Sequence, residues 1–251
     1  MHVIKKLIKL IIIIVSLFAV FMVNGLIESR VVNKELEEFK ARGELVYENE
    51  NNIYYRVKPK YDYEDTSRHI MNDYFDWQIG ATGDIFVTSR NPLQGNPITG
   101  FISDHTWVGH TGLVIDDEGQ NTIEITGNLD DRDRNVVDIW YNDWVIDRTT
   151  DQIVLLRVKN TTEDDRNKMV EYAKSQLGKP YNYTFLFNRA YSFYCSDLVS
   201  RSVANAGINV NYDYLATTGS DMIVSPNTYI IYYREKIGEN KFAVYYLSGD
   251  E

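Results

Sequence analysis

A single cysteine, Cys195, stands in the 251 residues, so no intramolecular disulfide and no Cys-rich zinc site can form. Five prolines and 15 glycines leave no room for collagen-like or low-complexity character. Basic charge is also scarce. Of the 26 Lys and Arg residues, three (Lys5, Lys6 and Lys9) fall within residues 1–27, leaving 23 against 36 acids in the remainder. A body of that sign repels phosphate backbones, which excludes nucleic acid as a partner. Histidine is equally sparse: beyond residue 27 the chain holds only His69, His105 and His110.

What is present begins with an apolar run from Leu10 to Val23, preceded by the three lysines and broken only by Ser16. That is the layout of a secretory address. Extended over residues 7–27, it reaches the ~20 residues that span a bilayer as a helix. Cleavage and anchoring are both compatible with it, and the absence of an A-x-A site favours an uncleaved anchor. Lysines on the first flank and Glu28 on the other place the N-terminus in the cytoplasm and the rest outside, so the membrane is an expected partner through this helix. Residues 28–73 are charge-rich and weakly helical at first, and read as a stalk and N-terminal extension. Residues 74–251 read as the main folded domain.

Within that domain, strands are expected at Asp84–Val87, Thr111–Ile115, Thr122–Thr126 and Ile153–Val158, with Asp116-Asp117-Glu118-Gly119 as the turn of a hairpin. A helix opens at Thr162, where Asp165 completes a capping-box variant, and places Met169, Ala173 and Leu177 on one face before Gly178 and Pro180. A second begins near Cys195, with Val199, Val203 and Ala206 aligned and Gly207 ending it. Strand-type residues recur at Thr228–Tyr233 and Phe242–Tyr246. Strands first, helices later and a closing strand pair give an α+β class.

Cys195 stands where a helix N-terminus favours thiolate over thiol, as a nucleophile requires, although a lone cysteine is as often a small buried hydrophobe. A thiolate needs an acid–base partner. His69 and His105 lie in polar or loop segments and are expected to be solvated, whereas His110 opens a strand and is held rigidly. Glu124, the polar residue between Ile123 and Ile125, would share a sheet face with His110 and orient its imidazole; the alternative is an ordinary outward-facing glutamate. Two tempting signals fail. Asp131, Asp133 and Asn135 match a calcium loop at its first positions, but Val136 replaces the glycine and Asn142 the closing glutamate. No Gly-Lys-Ser/Thr follows Gly80-Ala81-Thr82-Gly83, so it is not a phosphate loop. No metal or cofactor is expected.

The ordered blocks Gly83-Asp84-Ile85-Phe86-Val87, Gly109-His110-Thr111-Gly112-Leu113-Val114, Ile123-Glu124, Gly178-Lys179-Pro180-Tyr181 and Tyr194-Cys195-Ser196-Asp197-Leu198-Val199 resemble the circularly permuted papain-like hydrolases of the NlpC type, the YiiX-like amidases. In that family the histidine precedes the cysteine. The likeness covers roughly residues 77–209. It implies a permuted papain-like fold, an antiparallel sheet packed against helices, with Cys195 as nucleophile, His110 as base and acid, and Glu124 as the orienting group. Tyr181 resembles the tyrosine that borders the cysteine in this family and could join the Cys195 N–H in stabilising an oxyanion. Tyr183, Tyr191 and Tyr194 could line the same cleft, and the acidic stretch at 130–133 departs from the family. The reading is an extracytoplasmic thiol hydrolase that cuts an amide bond, in peptide or cell-wall-derived substrates. Acyl transfer to or from lipid, thioester cleavage and a catalytically silent binding module are the alternatives.

Overall fold

The computed structural model describes residues 2–74, 77–89, 109–127, 135–146, 152–184, 189–213 and 216–249; the side chains of residues 2, 3, 14, 17, 18, 21 and 22 are also outside the description. His105 and the acidic stretch 130–133 fall outside it. In chain order the elements are α1 (His2–Lys40), β1 (Gly43–Glu48), β2 (Asn52–Val57), β3 (Ile85–Thr88), β4 (Thr111–Val114), β5 (Asn121–Glu124), β6 (Asp138–Tyr141), β7 (Gln152–Val158), α2 (Glu163–Lys174), α3 (Cys195–Asn205), α4 (Gly219–Val224), β8 (Thr228–Gly238) and β9 (Lys241–Leu247).

The strands form one nine-stranded sheet in the order β1-β2-β9-β8-β7-β3-β4-β5-β6. It is not wholly antiparallel as expected: β2 runs parallel to β9, while the other neighbours are antiparallel. The mixed α+β class holds. β3, β4 and most of β7 are buried along their whole length, which is why their sequences are apolar runs instead of alternating ones. α3 packs on β4 and on α2, whereas α4 packs on β8 and on α1.

Residues 43–57, read above as part of a stalk, are two strands of this sheet. They are short, with tyrosines and charges mixed, and gain burial only by pairing with β9. The last turns of α1 bury Val32, Leu36 and Phe39 against the domain, and Lys40 pairs with Glu235 on β8 at 2.7 Å. The expected membrane-spanning helix is not supported: among the described residues, no helix is long and apolar enough to cross a membrane. α1 is one continuous helix whose second half is charged and docked on the domain.

Local expectations fare well around the future site. The β4–β5 turn forms as read, with Gly119 at φ +64° and the Asp116 carboxylate accepting from the backbone N–H groups of Gln120 and Asn121. The Thr162/Asp165 capping box is complete. Met169 and Ala173 are buried, but Leu177 is 44% exposed, because the helix stops at Lys174 and leaves it beyond the packed face.

Candidate active site

β4 and β5 pair with Leu113 opposite Ile123 and Val114 opposite Thr122. One step further along the same register, Gly112 faces Glu124. A Cβ at position 112 would lie 2.9 Å from the Glu124 Cγ, so only glycine lets this carboxylate fold across the strand. It crosses towards His110, which shares the face of Gly112 two residues away. Glu124 Oε2 and His110 Nε2 are 2.6 Å apart.

The other carboxylate oxygen is occupied as well. Glu124 Oε1 accepts from the Thr122 hydroxyl and, at 2.7 Å, from the Trp144 indole N–H. Burial alone would raise this carboxyl's pKa, but the bonds and charge of His110, with the Thr122 and Trp144 donors, hold it below the usual value.

α3 delivers the third group. Its N-cap, Tyr194, has extended backbone (φ −101°, ψ 168°) and no side-chain capping bond, so Cys195 opens the helix among unpaired backbone N–H groups. The packing of α3 on β4 sets the Cys195 thiol against the start of β4, 3.9 Å from the Gly109 carbonyl oxygen and near enough to His110 for each to bear on the other's ionisation. Burial opposes ionisation of the thiol, yet the His110 bond and charge and the neighbouring Thr111 lower its pKa. Burial likewise opposes protonation of His110, but Cys195 and Glu124 push it up to about 10. Opposite shifts of a thiol and a neighbouring imidazole favour the thiolate–imidazolium form of the pair. The His110 side chain stays 25% exposed, which leaves a route for substrate.

Tyr181 reaches the same place by a different device. The stretch 180–182 runs beside Phe193, with the Asn182 N–H on the Phe193 carbonyl at 2.7 Å and the Phe193 N–H on the Pro180 carbonyl at 3.1 Å. A Cβ on Gly127 would fall 2.6 Å from the end of the Tyr181 ring, so that glycine makes room for the phenol. Burial, followed by the Cys195 charge, pushes the Tyr181 hydroxyl well above its ordinary pKa and keeps it a neutral donor. Tyr183 packs against Tyr181 at 4.9 Å and accepts from the Asn135 amide. Tyr194 is buried and its hydroxyl is engaged by Thr217. Tyr191 is 78% exposed.

His69 is not the solvated side chain expected; its ring bonds the Gly80 carbonyl at 2.9 Å. Asp84, part of the recognised block, is structural: Arg157 grips both its oxygens, at 3.0 and 2.7 Å, and also bonds the Asp65 and His69 carbonyls. Sequence reasoning missed Thr122, Trp144 and Gly127. Thr122 follows from the alternation that singled out Glu124, two residues on, whereas Trp144 lies in a turn with no periodic signal.

A separate acidic group lies at the seam of α1 and α4. One oxygen from each of Glu28, Asp213 and Asp221 lies within 4.8 Å of the others, and the Asn24 amide donates to Glu28 at 2.7 Å and to Asp213 at 2.6 Å. Burial, then the Asp221 charge, raise the Glu28 carboxyl to about 7. Among the described residues this is the one carboxylate cluster with the oxygen donors a hard cation takes.

The model of a family described as permuted papain-like amidase enzyme, YaeF/YiiX, C92 family, matches residues 81–228, more than half of the chain. Among solved structures, the crystal structure of the metalloprotein yiiX from Escherichia coli O157:H7 aligns with 62% of this chain and 97% of its own, at 20% identity and a TM-score of 0.48. No curated protein matches.

Proposed function

Since this chain belongs to the family of permuted papain-like amidases, hydrolases of amide bonds, and the matched segment holds His110, Glu124 and Cys195, we propose that it is a thiol amidase with these three residues as its catalytic triad. The supporting observation is the His110 ring, bonded to Glu124 at 2.6 Å and set beside the Cys195 thiol, whose ionisation it favours.

The Cys195 thiolate attacks the amide carbonyl carbon, and the carbonyl oxygen takes up the negative charge. The Cys195 backbone N–H and the Tyr181 hydroxyl are the donors available to that oxyanion. His110, protonated at Nδ1, gives its proton to the departing nitrogen as the C–N bond breaks, leaving a thioester on Cys195 and a neutral imidazole. The imidazole then takes a proton from water; the hydroxide formed attacks the thioester, the C–S bond breaks, and acid and thiolate are released beside a regenerated imidazolium. Glu124 stays ionised throughout and holds Nε2–H in place.

Peptide or cell-wall-derived amides are the proposed substrates, and the proposed location is extracytoplasmic. The location is supported by the basic flank and apolar run of residues 10–23, the layout of an export address. The test of the triad is selective: purified Cys195→Ser should lose hydrolysis of every amide the native enzyme turns over while melting at the same temperature. Retained turnover would end the thiol reading.

A further inference from the structure

Each oxygen of the Glu124 carboxylate is assigned, and the residue that assigns the second also touches His110. The Trp144 ring stacks on the His110 imidazole with centroids 5.3 Å apart and planes 8° from parallel, while its N–H reaches Glu124 Oε1 at 2.7 Å. The indole also stacks on Phe86 of the buried strand β3, at 4.7 Å and 17°. Trp144 is 8% exposed.

Its backbone is pinned in turn. Asn142, two residues earlier, is fully buried; its N–H bonds the Gln120 carbonyl at 2.9 Å and its amide the carbonyls of Ile79 and Gly119 at 3.1 and 2.6 Å. The next residue, Val145, gives its carbonyl to Arg234 on β8. The turn that carries the indole is therefore tied to the loop before β3, to the β4–β5 turn and to β8, whereas the His110 backbone is held on β3, its carbonyl accepting from the Thr88 N–H at 3.0 Å.

We propose that Trp144 is the positioning residue of this site, its indole N–H fixing the Glu124 carboxylate and its ring face fixing the His110 imidazole. The inference rests on the triad reading above and deepens it.

The chemistry follows from what an indole can do. Its nitrogen is a donor only, so Oε1 must accept and cannot carry a proton without losing this bond. Glu124 is thereby kept ionised, and Oε2 accepts from an Nε2–H. That leaves Nδ1 as the nitrogen facing Cys195, the tautomer the reaction needs. The ring face acts on the same imidazole differently. Rotation about the His110 Cβ–Cγ bond would break the parallel stack, and the electron-rich face favours the charged ring over the neutral one. Among the described residues, the titratable groups that act on His110 are Glu124 on β5 and Cys195 on α3; Trp144 adds no proton of its own and acts through their geometry.

The single cysteine makes a substrate-independent test possible in the full-length chain. Alkylation of Cys195 by iodoacetate needs a thiolate and, for this anionic reagent, is helped by the imidazolium, so its rate against pH is a bell. The acid limb reports loss of the ion pair and the alkaline limb the deprotonation of His110. Trp144→Phe keeps a ring face but removes the donor to Glu124, which then protonates more readily; its acid limb should move to higher pH by roughly half a unit to one unit while the alkaline limb stays. Trp144→Leu removes both, so its alkaline limb should also move to lower pH, by about one unit. A pair of folded variants whose bells superimpose on the native one would overturn the proposal. If Trp144→Leu does not fold, an unmoved acid limb in Trp144→Phe alone overturns it. His110→Ala separates the two levels: a native bell in that variant defeats the Cys–His pairing itself. A bell lost in His110→Ala but unchanged in the Trp144 variants defeats only the positioning role.

Discussion

Glu124 and Glu28 are buried to nearly the same depth, 7% and 5% exposed, yet their carboxyls are displaced in opposite directions. Glu124 sits on a strand end against an imidazolium and two neutral donors and is held below its usual pKa. Glu28 sits in the α1–α4 seam against Asp221 and Asp213, with the Asn24 amide as its compensating donor, and is raised to about 7. Desolvation pushes both upward; the sign of the neighbouring charge decides the outcome. One seam is built to hold a charge and the other to share a proton.

The contrast breaks most completely at the cation's other partner. Cys195→Ser should lower kcat/KM by about 10³-fold or more, because the alcohol is a far weaker nucleophile at neutral pH. Native kcat/KM in that variant would remove the reason for keeping Glu124 ionised. Glu124→Gln keeps size and one acceptor but loses the charge that stabilises imidazolium, so kcat/KM should fall by about 10²-fold or more. Glu118→Gln, an acid in the neighbouring turn, should stay near native, and equal values for the two would take Glu124 out of the site.

Gly112→Ala sharpens the geometry without touching charge. The new methyl must displace the Glu124 side chain, and activity should drop by roughly tenfold through kcat with little change in KM. A crystal structure of the variant with the Glu124–His110 contact still at 2.6 Å would refute that account.

The smallest effect belongs to Glu28, and it is one of stability. Its folded pKa lies above that of an unfolded glutamate, so its contribution is fully present below about pH 4.3 and is lost as pH rises through about 7. Glu124 has the opposite sense: its contribution is present above the ordinary carboxylate range and is lost as pH falls through its depressed folded value. Melting temperature should therefore fall between pH 5 and pH 8 on account of Glu28. In Glu28→Gln that slope should flatten, raising the pH 8 value by a few degrees with kcat/KM unchanged. An identical slope in both proteins would show that the seam does not titrate.

The active side of this contrast was more legible in the sequence than the seam. Cys195, His110 and Glu124 lie at element boundaries that local rules find: a helix start, a strand start and a period-two alternation across a tight turn. Their relation needed only the short β4–β5 register. Glu28, Asp213 and Asp221 meet across about 190 residues, and nothing local in Ile27-Glu28-Ser29 or Tyr212-Asp213 announces it. The strands β1 and β2 were hidden for the same reason, because their burial comes from β9. β6 carries Ile139, Trp140 and Tyr141 exposed at the sheet edge, so it lacks the buried–exposed alternation that marks a strand. Trp144 was invisible because its role depends on where a turn, not a periodic element, is pinned.

The place of β9 also sets the order in which the chain can finish folding. It lies between β2 and β8, although β2 ends at residue 57 and β9 begins at 241. A nascent chain that has emerged from the ribosome as far as residue 240 already carries α1, the β1–β2 hairpin, His110, Glu124 and Cys195, yet the hairpin has no strand to join. Only β9 closes the gap, by slotting between one neighbour far upstream in the chain and another synthesised just before it. Such a long-range closure is slow and late. Until β9 has been made, the two strand edges that flank the slot stay open, and a truncation that removes β9 leaves both unpaired.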